Sequence, residues 1–180
     1  IISTDGVSST IIHHSARNVN MNPTDMGLLK GFTITGNGTD NGIIPWGWWK
    51  CVLEDLVIYN KGNGIENQGM TTINNVTLTN NNRGLNNGGG MAVITNSIIW
   101  GNVEFPIWGG NTEITNSVLQ GGEANIGNGS CSVCEGIITD NPLFCDTDNN
   151  DYSLAENSPA IGMGALGVGC DPIDGGDIYE

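Results

Sequence analysis

Five tryptophans, a few carboxylates and five cysteines are the residues in this chain whose types and spacing could do chemistry. Trp46, Trp48 and Trp49 stand almost side by side, and Trp100, Trp108 and Tyr59 are spread through the middle of the chain. Exposed rings of this kind offer flat apolar faces to sugars or to protein partners. The alternative for Trp46, Trp48 and Trp49 is a loop folded back on the protein with its rings buried. Glu104 and Glu113 flank Trp108 and are the candidate pair for glycoside hydrolysis. That reaction needs two carboxyl groups about 5–9.5 Å apart across the scissile bond; two solvated surface acids are the other reading. Asp146, Asp148 and Asn150 place oxygen donors at positions 1, 3 and 5 of a calcium-type loop, which makes calcium the candidate cofactor. Position 6 is Asp151 rather than Gly and position 12 is Asn157 rather than Glu, so an Asx-rich turn competes with the metal site.

Cys131, Cys134, Cys145 and Cys170 lie in a turn-rich C-terminal stretch, while Cys51 stands apart. Two disulfides among the four suit an oxidising compartment, with three possible pairings. A zinc site built on Cys131 and Cys134 is the rival, but no histidine follows them. Cys51 alternates in phase with Leu53 and is expected in the core. The only histidines, His13 and His14, are adjacent, so on a strand they face opposite ways and cannot share a metal.

The formal charge is −14, from 5 Lys and Arg against 19 Asp and Glu. Such a surface repels phosphate backbones and anionic lipid, so nucleic acid is not an expected partner. No run of about 18 apolar residues offers a membrane-spanning helix. An anionic-polysaccharide lyase needs a metal or a basic cluster to neutralise a uronate. The basic residues are scattered through the chain at Arg17, Lys30, Lys50, Lys61 and Arg83. The chain reads as strand from Ile1 onward with no leader segment, as expected of a processed or excised piece.

The elements that must carry these residues recur. Phe32, Leu56, Val76, Ser97 and Ser117 occupy one position of a repeat, at steps of 24, 20, 21 and 20 residues (56−32, 76−56, 97−76, 117−97). Each anchor opens an alternating run that predicts Phe32/Ile34, Leu56/Ile58, Val76/Leu78, Ser97/Ile99 and Ser117/Leu119 inside. Thr33, Val57, Thr77, Ile98 and Val118 are then expected outside, with Tyr59, Thr79 and Trp100 beside them. A second strand set includes Ile43, Ile65, Leu85 and Ile107, and a third ends at Leu53, Ile73, Ile94 and Ile114. Three short strands per turn of this length describe an all-β, single-stranded parallel β-helix. The run from Ile73 to Asn81 also fits a leucine-rich repeat. The glycine-broken half that precedes it lacks the leucines such a repeat requires. Asp55, Asn75, Asn96 and Asn116 precede the main strand and predict a stacked side-chain ladder. Coils of about 20–24 residues are expected over residues 1–122, and a Cys-rich cap of the last coil over residues 123–180.

Several stretches resemble one family. Gly31-Phe-Thr-Ile-Thr-Gly-Asn, Asn96-Ser-Ile-Ile-Trp-Gly-Asn, Asn141-Pro-Leu-Phe-Cys-Asp, Asp151-Tyr-Ser-Leu and Asn157-Ser-Pro-Ala-Ile-Gly occur in that order over nearly the whole chain. They look like the secreted right-handed parallel β-helix repeat proteins of bacteria, within the pectate-lyase-like solenoid superfamily. The segment Gly164–Cys170 is similar to tails that precede a cell-surface or secretion-sorting domain. Asn141 departs from the Asp usual in the motif. The resemblance implies the right-handed solenoid and a secreted or cell-surface location, and it is nearly silent on chemistry.

The expected function is a non-catalytic extracellular binding or structural module, with a polysaccharide or a cell-surface protein as partner. The competing expectations are a carbohydrate-active enzyme using Glu104 or Glu113, and a unit that self-associates through open coil ends.

Overall fold

The computed structural model describes residues 1–13, 19–21, 26–47 and 50–174. Its coils form a parallel β-solenoid. The first sheet contains β1 (Ile11–His13), β3 (Gly27–Thr35), β5 (Lys50–Tyr59), β7 (Met70–Thr79), β9 (Met91–Thr95), β10 (Ile98–Trp100), β12 (Asn111–Leu119) and β14 (Ser130–Ile138). The second sheet contains β2 (Val19–Met21), β4 (Ile43–Pro45), β6 (Asn63–Glu66), β8 (Arg83–Asn86), β11 (Phe105–Trp108) and β13 (Ile126–Gly127). Neighbouring strands within both are parallel and joined by a crossover through the other sheet. β9 and β10 are one ladder position broken between Thr95 and Ile98, since both pair with β7 and with β12.

The register is the one expected from alternation. Phe32 lies on Leu56, Leu56 on Val76, and Ile34, Ile58, Leu78, Ile99 and Leu119 form a continuous inward row. Ile43, Ile65, Leu85, Ile107 and Ile126 form the facing row from the second sheet. The inward side chains of the coils from Ile34 to Leu119 are almost wholly enclosed. Burying each such aliphatic side chain contributes about 1.5–3 kcal/mol. Cys51 is buried among them as a free thiol, and burial pushes its pKa up.

Each coil turns one corner through a left-handed residue. Asp55, Asn75, Asn96 and Asn116 have φ of 50°, 57°, 49° and 49°, and Gly31 and Gly136 hold the equivalent place in the flanking coils. Asx and Gly tolerate this region best. The expected ladder is present in two segments: Asn75 Nδ2 donates to Asp55 Oδ1 at 2.6 Å and Asn116 Nδ2 to Asn96 Oδ1 at 2.7 Å, while between them Asn96 Nδ2 turns to Asn74 Oδ1 at 3.3 Å. Lys30 closes one end, with Nζ 3.0 Å from both Asp55 Oδ2 and Glu54 Oε2. Two further ladders run inside the solenoid. Asn67 Nδ2 donates to Asn87 Oδ1 at 2.7 Å, while Asn102 Oδ1 accepts from the backbone N–H and Nδ2 of Asn81. Asn81 in turn serves the N–H of Lys61 and the carbonyl of Ile58. These amides satisfy backbone groups at corners that no strand partner reaches.

Pairing continues past residue 122. β14 lies on β12, with Ser117 opposite Ile137, so one more coil follows the five anchored by the repeat. A 3₁₀ turn, η1 (Gly122–Asn125), leads into it. The pairings chosen by the cysteines are Cys131–Cys134 and Cys145–Cys170. The first spans a bulge at Ser132, where β14 has one residue more than β12. That extra residue lets both cysteines face the core, where they form a disulfide within β14 instead of a zinc site.

The outward row is not outward to solvent. Thr33, Val57, Thr77, Ile98 and Val118 are all buried, as are Thr35 and Thr79. The C-terminal segment runs along this side of the coils as a small third sheet. It consists of β15 (Phe144–Asp146), β16 (Asp151–Ala155) and β17 (Val168–Cys170), with the 3₁₀ turn η2 (Thr147–Asn149) between the first two. Phe144, Tyr152, Leu154, Ala160 and Met163 pack with Val7, Val57, Ile98 and Val118 into a second apolar cluster. The cause is simple: Val57, Ile98 and Val118, with Thr77 interposed between the first two, make the row apolar enough to need cover, and the tail supplies the matching face. Gly164 seals the contact. Its N–H donates to the Asn96 carbonyl at 2.8 Å, and a Cβ there would stand 2.6 Å from Thr77 Oγ1 at a φ of +71°.

Two outcomes follow from this packing. Gly164→Val forces the tail off the coils, so proteinase K should trim the C-terminal segment while the coils stay protected; equal protection of both would contradict the contact. Burial alone would push Asp55 up, but the Asn75 amide and Lys30 outweigh it and hold the carboxyl below the usual range. The folded state then binds this proton less readily than the unfolded chain, so the stabilisation is present at neutral pH and fades as pH falls through the folded value. In urea titrations the advantage of the wild type over Asp55→Asn should shrink between about pH 5 and about pH 2.

Candidate functional site

A concavity lies where the tail meets the lateral face. It has a volume of about 540 Å³, within the range of ligand sites. Thr79, Asn80, Trp100 and Gly101 come from the coils. Asn141, Leu143, Phe144, Cys145, Asp146, Thr147, Asp148, Tyr152, Ile173 and Asp174 come from the tail. Trp100 reaches it because it ends β10 beside Thr79, on the solvent-facing side of the alternation, where the coil turns at Gly101 with φ of 69°. Its ring packs against the second apolar cluster and remains half-buried, one side turned to the cleft.

The tail wall is fixed by several ties. Cys145, at the cleft, is bonded to Cys170. Asn157 clamps Ile173 by a reciprocal pair of hydrogen bonds, Nδ2 to the carbonyl at 2.8 Å and backbone N–H to Oδ1 at 3.1 Å. Tyr152 is held between Tyr59 and Phe144, with ring centres 5.1 and 5.5 Å away. Burial pushes its phenol pKa up, so it stays a neutral donor, and its hydroxyl meets Asn80 and Asn150.

The cleft thus brings together residues from two separate expectations, Trp100 as a ligand platform and Asp146 and Asp148 as metal ligands. Asp146 caps η2, accepting from Asn149 Nδ2 at 2.7 Å and from its N–H at 3.2 Å. Those hydrogen bonds hold its carboxyl below the usual range. Asn150 adopts the left-handed conformation and takes the Tyr152 hydroxyl, so this stretch has the bonding of an Asx-rich turn. Among the described residues, no group of three His, Cys, Asp or Glu is placed to hold a metal ion.

Other expected site residues are dispersed. Tyr59 lies two coils from Trp100 on the same row and packs against Tyr152 with the ring planes tilted by 56°. Trp108 is on the second sheet, its ring engaged by the Arg83 guanidinium at 4.9 Å, by Phe105, and by Gly127, where a Cβ would collide with it. Trp46 is exposed at the end of β4, and Trp48 and Trp49 fall outside the described residues, as does His14. Glu104 precedes β11 and is paired with Arg83, Oε2 lying 2.6 Å from Nη2; the Asn82 amide and this guanidinium hold it below the usual range. Glu113 is on β12 between Val93 and Val133. The two glutamates therefore belong to different sheets. Asn80, Asn141, Tyr152 and Asp174 are site residues that sequence reasoning missed; the Asp151-Tyr-Ser-Leu motif is the signal that could have found Tyr152.

No protein-family model matches the chain, and neither a curated protein nor a solved structure matches it.

Because the wall hangs on Cys145–Cys170, Cys145→Ser/Cys170→Ser should lower stability by about 3 kcal/mol, the chain-entropy value for a loop of this size. Denaturation monitored by the Trp100 environment reads it. A loss confined to about 0.5 kcal/mol, typical of a plain surface change, would show that the wall stands without the disulfide.

Proposed function

We propose that this protein is a non-catalytic glycan-binding module of an extracellular or cell-surface protein, with the Trp100 cleft as its binding site. The observation that carries the reading is the juxtaposition of one partly buried indole with hydroxyl, amide and carboxylate groups in a cleft of ligand size. An indole face suits the apolar face of a pyranose, and the polar rim suits its hydroxyls. Among the described residues no Lys or Arg lines the cleft, and the chain carries −14, so neutral sugars are favoured over uronates. Asp146 is held ionised, which suits accepting hydroxyl protons and not the proton delivery that glycoside hydrolysis requires of one carboxyl. Two disulfides support an oxidising, extracellular setting. The coil and tail motifs support kinship with the secreted bacterial β-helix repeat proteins.

Affinity electrophoresis in gels containing β-glucan, mannan, xylan or soluble chitin fragments, with polygalacturonate as the acidic control, tests this. Retention should occur in at least one neutral gel and weaken about tenfold or more in Trp100→Ala, the usual scale for a central aromatic contact. Retention that survives Trp100→Ala, or none in any neutral gel, would reject the reading. Reducing ends that appear with the wild type and vanish in Asp148→Asn or Asp174→Asn would replace it with a hydrolase.

A further inference from the structure

The tail leaves a second depression on the same lateral face. It has a volume of about 400 Å³ and includes Val7, Ile11, Thr33, Val57, Tyr59 and Leu166. It shares Tyr152 with the first cleft, and η2 with Asn150 and Asp151 forms the ridge between them: Thr147 and Asp148 face one side, Asn149 to Asp151 the other. The coil register sets their relative position. The floor of the second groove is Thr33 and Val57, in consecutive coils, and that of the first is Thr79 and Trp100, two coils further along. At the strand spacing of about 4.8 Å the two floors are about 10 Å apart along the solenoid axis. That separation exceeds the reach of a single sugar and suits a short oligosaccharide.

We infer that this groove is a second sugar subsite, and that the ligand is an oligosaccharide laid along the solenoid axis across η2, with one end on Trp100 and the other between Ile11 and Leu166. The inference rests on the glycan-binding reading of the first cleft. Three features of the groove fit the assignment. Its walls are apolar, with Ile11 59% exposed and so not committed to the core. Tyr152 borders both depressions and is braced on the second groove's side by Tyr59, the ring centres 5.1 Å apart and the planes tilted by 56°. Ser8, Asn149, Ser153 and Asp151 rim it with hydroxyl, amide and carboxylate groups, and among the described residues no Lys or Arg lines it, as in the first cleft. A ligand confined to one cleft would have no use for the other; one that spans both gains from their fixed spacing.

Titration calorimetry with cello-, manno-, xylo- and chito-oligosaccharides of two to six units tests it. In the series that binds, affinity should climb at least tenfold from the disaccharide to the hexasaccharide and level off once both depressions are filled. Ile11→Lys and Ser8→Trp, on the rim of the second groove, should bring the hexasaccharide down to the disaccharide's affinity and leave the disaccharide unchanged. Trp100→Ala should abolish binding of both. Equal affinity for all lengths, or a hexasaccharide indifferent to Ile11→Lys and Ser8→Trp, overturns the second subsite while leaving the first cleft standing. Absence of Trp100-dependent binding in every series overturns both.

Discussion

Everything in this protein depends on each coil returning to the same place one strand spacing away. The left-handed corner enforces that return. Six successive coils turn at Gly31, Asp55, Asn75, Asn96, Asn116 and Gly136, all with φ between 49° and 83°. A corner in this region is available to few residue types, so a coil that slipped by one residue would force a residue such as Phe32, Leu56, Val76 or Ile137 into it. It would also turn its aliphatic row toward water. The Asx side chains then bond to one another between coils, and a local backbone preference becomes a vertical tie. The aliphatic rows supply most of the stabilisation; the corners decide which stacking receives it.

With the coils in register, every side-chain row becomes a stripe, and stripes of unlike character meet unlike fates. The inward rows close on themselves. The row Val57, Thr77, Ile98, Val118 faces out from the sheet and is still apolar enough to require cover, which the third sheet provides. The cover is incomplete by geometry. A three-stranded sheet pinned at Gly164 and Tyr152 cannot follow the whole length of the lateral face, and depressions remain on both sides of η2. Acidic and amide residues of the turn line these depressions because a 3₁₀ turn with a capping Asp needs such residues.

The solenoid itself is legible in the sequence. Alternation from Phe32 to Leu119 sorts the inward residues correctly, and the recurrence of Asn75, Asn96 and Asn116 marks the ladder. What escapes is anything that depends on a third body. Alternation distinguishes two sides of a strand but cannot say whether the far side meets water, so Thr33 and Val57 read as exposed until the tail is seen on them. Asn67/Asn87 and Asn81/Asn102 repeat with the same rhythm as the corner ladder, yet polar residues beside glycines read as ordinary turns. The extra coil is hidden because Gly136 replaces Asn and Ile137 replaces Ser at the positions that carry the repeat. Trp100 and Asp146 each attract attention separately, but their meeting in one cleft is set by tail docking, which leaves no periodic trace.

The Ala165 N–H that donates to Thr77 Oγ1 joins residues 88 positions apart, whereas the coils are built from ties of 18 to 24. Contacts of short sequence separation form early and chains of them can grow unit by unit; a closure over a much longer loop comes late. As the chain emerges from the ribosome, the coils can therefore stack before the tail follows them, and the lateral stripe stays naked until the tail docks. Both depressions are made in that final step. The two depressions are consequently absent from a truncated or half-assembled molecule, and their presence would serve as a certificate of completed folding.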